Sequence, residues 1–240
     1  MQIAVLSDIH ANLPALEAVL ADAGEVDAVW HLGDVVGYGP DPDGVVRRLR
    51  EIGAIGVRGN HDAAACGAPE IAWFNPEARR AMEWTRAAIS TETREWLMAL
   101  PERLVLDGFE LVHGSPREPL WEYVTSTDVA RENLAVLTAP IGLHGHTHVP
   151  LAWVEEQGRV ELIRGQPGTS LALARGRALI NPGSVGQPRD GDPSAAYAIL
   201  DPEAGLVRWQ RVAYDIASVQ AAMREAGLPS SLRSRLSVGA

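Results

Sequence analysis

The chain contains no lysine: all 21 of its basic residues are arginines, set against 31 acidic residues and a formal net charge of −10. Such a surface repels polyanions, so general nucleic-acid binding is not expected unless cations or a local arginine patch reverse the sign. Cysteine is nearly absent. Cys66 stands alone, which excludes an internal disulfide and argues against a thiolate-rich structural zinc site. No apolar run reaches the length of about 18 residues that a membrane span requires, and no charged-then-apolar leader is seen. The expectation is a cytoplasmic protein with no membrane association; composition leaves the oligomeric state open.

What is present is 240 residues, 46% of them apolar, enough to bury a substantial core. Residues 3–6 form a continuous apolar run, residues 13–20 have helical spacing (Leu13, Leu16, Val19, Leu20), and residues 28–32 are apolar again. A helix over 44–51 and a short strand over 54–57 continue a βαβαβ series with a buried parallel sheet. Residues 64–100 read as a helical excursion, with Asn75 capping and Pro76 in the first turn. Short strands with turn signals follow, interrupted by a helix over 128–137, and suggest a second, partly antiparallel sheet packed on the first. A helical tail over about 215–240 closes what reads as one domain, 1–240.

Chemistry-bearing residues stand where the early strands end. The first apolar run leads into Ser7-Asp8-Ile9-His10, the second into Gly33-Asp34, and the third into Arg58-Gly59-Asn60-His61-Asp62. Later, Val112 precedes His113-Gly114-Ser115, and residues 142–150 hold His144, His146 and His148, three of the seven histidines. Parallel sheets bind ligands at these carboxyl ends. Each residue alone could be a cap, a turn former or a packed core histidine. Together, two carboxylates, a carboxamide and several imidazoles would be costly to bury without cations. Oxygen and imidazole donors without thiolate suit Mn²⁺, Fe or Zn²⁺. A carboxylate shared between two such ions, about 3.5–4 Å apart, suits phosphoryl displacement.

Asp8-Ile9-His10, Gly33-Asp34, Gly59-Asn60-His61-Asp62, His113 and Gly145-His146-Thr147-His148 resemble, in order, the five motifs of the calcineurin-like metallophosphoesterase superfamily. Asn181-Pro182-Gly183-Ser184-Val185 is similar to the later part of its small bacterial phosphodiesterase-type members. The resemblance implies an α/β fold, a four-layer αββα sandwich of two mixed sheets. It further implies two divalent ions, Mn²⁺ foremost, with Fe, Zn²⁺ or Ni²⁺ as alternatives. Asp8, His10 and His148 would hold the first ion, Asn60, His113 and His146 the second, and Asp34 would bridge them. His61 would face the phosphate, stabilising the transition state or protonating the leaving oxygen. The implied reaction is hydrolysis of a small phosphodiester or phosphomonoester by direct attack of a metal-bound hydroxide.

On this reading His146 and His148, one residue apart on an extended segment, point the same way and reach different ions. Gly145 lets the backbone approach, while His144 is expected to support the ligands from behind or to pack, and His31 to be buried structure. Cys66 is expected to be a small buried hydrophobe. Ser115 and Ser184 lack the Gly-x-Ser-x-Gly elbow of serine hydrolases. Arg58, Arg117 and Arg189 are candidates for phosphate contacts, and Tyr38, Trp73, Phe74 and Asn75 for the pocket wall. Tyr38 occupies the place of the arginine in the Gly-Asp-x-x-x-Arg-Gly motif of protein serine/threonine phosphatases and symmetrical dinucleoside-tetraphosphate hydrolases. Those activities are therefore the alternative, together with a non-catalytic scaffold of the same fold.

Overall fold

The computed structural model describes residues 1–240. The chain opens with β1 (Ile3–Leu6), α1 (Leu13–Ala23), β2 (Ala28–His31), α2 (Pro42–Glu51) and β3 (Ile55–Gly56). Helices α3 (Asn60–Ala65), α4 (Pro76–Ala88) and α5 (Thr91–Ala99) follow, then β4 (Arg103–Leu106), β5 (Phe109–Val112), α6 (Thr127–Val136) and β6 (Ile141–Leu143). Strands β7 (Leu151–Glu156), β8 (Arg159–Arg164), β9 (Ser170–Ala172), β10 (Arg177–Asn181), β11 (Ala195–Asp201) and β12 (Leu206–Val212) precede α7 (Ile216–Glu225) and α8 (Ser230–Arg235). Helices α1, α2 and α4 start as their sequences dictate: Asn12, Asp41 and Asn75 accept first-turn N–H bonds, and a proline fills the first turn.

One sheet has the order β3-β2-β1-β11-β12-β9 and the other β4-β5-β6-β10-β7-β8, six strands each. The parallel β1–β2–β3 series is present as expected. The second sheet, however, is not built from the whole second half of the chain. Strands β9, β11 and β12 return to the first sheet, β11 pairing antiparallel with the free edge of β1. An unpaired β1 edge would leave buried backbone groups without partners, and local periodicity carries no information about which sheet closes it.

Alternation along β1 shows how the layers are made. Ile3 and Val5 point between the sheets with Trp30, Phe109, Leu143 and Trp209. Ala4 and Leu6 point outward, under Leu16 and Val19 of α1 and Val45 and Leu49 of α2. Leu134 of α6 covers the far face of the other sheet with Trp153 and Leu179. Helices α7 and α8 pack their Val219, Met223, Leu232 and Leu236 against Tyr38, Ala78 and Ala81. No helix is long and apolar enough to cross a membrane.

Candidate metal centre

The loops after β1, β2, β3, β5 and β6 meet at one end of the sandwich. Their backbones are locked together: Asp8 N–H donates to Gly33 O (3.1 Å), His10 N–H to Asp34 O (2.9 Å) and Gly145 N–H to His113 O (2.8 Å). The Asn181–Val185 stretch is the brace. Asn181 Nδ2 donates to Gly145 O (2.7 Å) and Ser184 Oγ to Asp8 O (2.8 Å). Gly145 is required for this closeness, because a Cβ there would run into Ser7 Oγ and lie 2.9 Å from Asp8 Oδ2.

Five of the residues singled out as metal ligands, Asp8, His10, Asp34, His146 and His148, have φ between 50° and 67°. This left-handed region is costly for non-glycine residues, and such strain concentrates at functional sites. It also corrects the expectation for the histidine pair. His146 and His148 do not lie on an extended segment; β6 ends at Leu143 and both residues turn left-handed. The turn sends them to different neighbours, His146 Nδ1 to within 3.0 Å of His113 Nε2 and His148 Nε2 to within 3.2 Å of His10 Nε2.

Four imidazoles are oriented alike. His10 Nδ1 bonds Val36 O (3.2 Å), His113 Nδ1 bonds Leu32 O (2.9 Å), His146 Nε2 bonds Trp121 O (3.2 Å) and His148 Nδ1 bonds Gln187 O (2.5 Å). A carbonyl accepts only, so each outer nitrogen carries the proton and each inner nitrogen of the neutral ring presents a lone pair. The inner nitrogens then face one another, and His113 Nε2 faces Asn60 Oδ1 at 2.9 Å. Acceptors cannot bond acceptors; a proton on His113 or a cation between the nitrogens resolves the conflict.

The carboxylates divide their oxygens in the same sense. Asp8 Oδ2 accepts from Ser7 Oγ (2.7 Å) and His146 N–H (3.1 Å), while Oδ1 is buried with no hydrogen bond, 3.2 Å from His148 Nε2. Asp34 Oδ1 accepts the His61 N–H (2.8 Å), and Oδ2 lies 3.4 Å from His113 Nε2 and 3.7 Å from His10 Nε2. Three compact donor groups result, Asp8–His10–His148, His10–Asp34–His61 and Asp34–His113–His146, and Asp34 with His10 links the outer two. The donor set fits divalent cations.

Electrostatics agree. Burial raises the Asp8 carboxyl, but the charge and hydrogen bond of His148 outweigh it and hold it well below the usual range. Asp34 is likewise held low against burial, chiefly by His113 and His61. Burial pulls His113 down, yet Asp34 lifts it to about 9. Both carboxylates are thus held ionised, and His113 is the one imidazole of the cluster raised enough to carry a compensating proton, which a bound divalent cation would displace.

His61 sits beside this group. Its Nδ1 lies 3.1 Å from Met82 Sδ, and its ring stacks on Phe74 with centroids 4.6 Å apart. That leaves Nε2 for the cavity that His61 lines. Burial, reinforced by Arg189, lowers its pKa to about 4 although Asp34 opposes this. Asp62 of the same turn accepts from Val36 N–H (3.0 Å) and Gly59 N–H (2.9 Å), tying the second and third motifs together.

A cavity of about 500 Å³ opens on the cluster, walled by Tyr38, Asn60, His61, Trp73, Phe74, Asn75, Trp121, Tyr123, His146, Arg189 and Arg235 among others. Tyr38, Trp73, Phe74 and Asn75 therefore stand where a pocket wall was expected. Of the three candidate arginines only Arg189 is here. Arg58 bonds Glu102 (2.7 Å) and borders a different cleft, and Arg117 is bound by Glu122 and Glu132. Arg235, Trp121 and Tyr123 escaped sequence reasoning; no motif marks them, and distant folding brings them in. His31 and His144 are buried, and neither contributes to the three donor groups. Cys66 is half-buried and burial raises its thiol, which leaves it a weak nucleophile.

Imidazole, carboxylate and carboxamide donors, converging at the strand ends of a two-sheet sandwich beside an open cavity, define a protein built to bind cations next to a ligand. The chain belongs to the calcineurin-like phosphoesterase superfamily, whose domain model matches residues 1–205. A metallophosphoesterase of solved structure from Sphaerobacter thermophilus is 48% identical, with a TM-score of 0.92 over 100% of this chain and 99% of that one. An uncharacterized protein of Methanocaldococcus jannaschii is 36% identical over 99% of this chain and 98% of its own length. The phosphodiesterase YfcE of Escherichia coli K12 is 30% identical over 84% of this chain and 88% of its own. Family and relatives alike indicate a phosphoesterase hydrolase.

Proposed function

We propose that the protein hydrolyses small phosphodiesters in preference to monoesters, with two divalent cations, Mn²⁺ foremost. Asp8, His10 and His148 would hold one and Asn60, His113 and His146 the other, with Asp34 shared. When bound, such ions lower the pKa of a water and neutralise charge developing on the phosphoryl oxygens. The observation that carries this reading is the matched set of four imidazoles, each with its outer nitrogen on a backbone carbonyl and its inner nitrogen in a donor group that includes a buried carboxylate.

The chain's own residues supply the rest. His61, fixed by Phe74 and Met82, turns Nε2 to the cavity, where the negative charge of a bound phosphate would raise its pKa and let it, once protonated, hydrogen-bond a phosphoryl oxygen or give a proton to the leaving oxygen. The aromatic wall restricts water and leaves room for a second ester group, which favours a diester. Among the alternatives, the monoester and protein-phosphatase readings find no such use for that wall.

The test is hydrolysis of bis-p-nitrophenyl phosphate against p-nitrophenyl phosphate by metal-stripped protein, with Mn²⁺ added back. The diester should be preferred, turnover should depend on metal, and His61→Ala should reduce it by at least about 100-fold. A monoester preference, or activity that survives both metal removal and His61→Ala, would sink the proposal.

A further inference from the structure

Tyr38 reaches the site from the turn after β2, and no candidate metal ion needs it as a ligand. Its φ of 59° lies in the left-handed region, an outlier for an aromatic residue, and Gly39 after it comes so near the first motif that a Cβ there would run into the His10 carbonyl. The ring is wedged between two histidines of the cluster, its centroid 4.7 Å from that of His10 and 4.4 Å from that of His61. Tyr38 is 7% exposed and lines the cavity. It also packs with Ala78 and Ala81 of α4, Val219 and Met223 of α7 and Leu232 of α8. The last two helices lie beyond the residues 1–205 that match the family model, so a part of the chain outside that frame holds this ring in place.

The place between His10 and His61 is thus held by a phenol, which is neutral near pH 7 and offers one O–H. Arg189 stands over the ring, Cζ 5.8 Å from its centroid, but its Nη2 donates to Gln187 Oε1 (2.9 Å), and Arg235 bonds the Ala240 carbonyl. Arg58 and Arg117 are held by acids outside the cavity. A second phenol, Tyr123, stacks on His146 with centroids 3.8 Å apart, so neutral donors line the cavity where it meets the cluster. The charge of the ligand then matters. A phosphomonoester, with a second pKa of about 6, carries close to two negative charges at neutral pH, and a diester carries one. A cation in the place of Tyr38 would hold the dianion more tightly than the monoanion, because Coulomb attraction scales with charge; a neutral hydroxyl discriminates far less.

We propose that Tyr38 is a specificity-determining residue: its hydroxyl donates to a phosphoryl oxygen, and its neutral ring fills the place from which a cation would select a doubly charged monoester. This deepens the diester reading and rests on the phosphoesterase reading for turnover.

Tyr38→Phe and Tyr38→Arg separate the two roles, with thermal melts and metal content establishing that each variant is folded and loaded. On bis-p-nitrophenyl phosphate and p-nitrophenyl phosphate, Tyr38→Phe should lower kcat/KM at least about tenfold for both esters and keep their ratio, as loss of a hydrogen bond to a charged group predicts. Tyr38→Arg should move the ratio toward the monoester by at least about tenfold. Binding reads the same selectivity without turnover, by tryptophan emission of the Mn²⁺-loaded protein titrated with inorganic phosphate and with dimethyl phosphate. Phosphate should bind at least about tenfold tighter to Tyr38→Arg than to the wild type, and dimethyl phosphate should change by less than about threefold. Wild-type kcat/KM in Tyr38→Phe, unchanged selectivity in Tyr38→Arg, or binding of neither anion by any of the three proteins would overturn the proposal. If Tyr38→Arg does not fold, Tyr38→Phe decides alone. A shift in anion selectivity in a protein that prefers monoesters, or cleaves neither ester, would leave Tyr38 as the determinant and refute the diester reading instead.

Discussion

His31 separates the structural histidines from those of the site, and its replacement by leucine has a calculable effect. It is fully buried in β2 near Trp96, and neither nitrogen has a hydrogen-bond partner. Burial alone lowers its pKa from 6.5 to about 4. As pH falls below 6.5 the unfolded chain takes up a proton that the folded chain refuses, so stability falls, and the loss is complete only below pH 4. At pH 5.0 the unfolded chain has gained about 1.5 units' worth of proton binding and the folded chain almost none. At 1.36 kcal/mol per unit this is about 2 kcal/mol. Leucine is near histidine in volume and brings no polar atoms, so the substitution should cost less than about 1.5 kcal/mol at pH 7.5. Urea unfolding in EDTA at pH 7.5 and 5.0 measures both. The wild type should lose about 2 kcal/mol more than His31→Leu between the two pH values. Equal losses would show that His31 is hydrated or partnered and refute the reasoning.

Asp34→Asn removes the charge shared by both donor groups, so Mn²⁺ affinity measured by calorimetry should fall at least about 100-fold while the thermal melt stays cooperative. Gly37→Ala should separate metal binding from turnover: at φ 90° its Cβ would strike the His61 ring. Activity should drop at least about 100-fold with metal content unchanged. Arg103→Met strands the fully buried Glu110, whose other partners are Thr138 N–H and Oγ1. Denaturant unfolding should show a loss of about 3 kcal/mol.

The parallel β1–β2–β3 series and the strand-end motifs could be read from sequence because both depend on local order. An apolar run ending in Asp8 or Asp34 carries its geometry with it. The destination of β11 could not be read, since an apolar run buried on both faces fits either sheet and only the open edge of β1 decides. The same limit applies to long side chains. Arg58, Arg117 and Arg189 look alike in sequence, and what distinguishes them is where Glu102, Glu122 and Glu132 fall after folding. The left-handed turns at His146 and His148 were also hidden, because histidine rarely adopts positive φ without tertiary constraint. Arg235 entered the cavity from the last helix, about as far from the motifs as the chain allows.

On the proposed function the histidine cluster holds two cations with Asp34 between them. Anomalous diffraction from crystals grown with Mn²⁺, recorded at the manganese edge, tests it directly. Two peaks about 3.5–4 Å apart are expected, one among Asp8, His10 and His148, the other among Asn60, His113 and His146, both in reach of Asp34. A single peak, no peak, or manganese bound away from Asp34 would contradict the account.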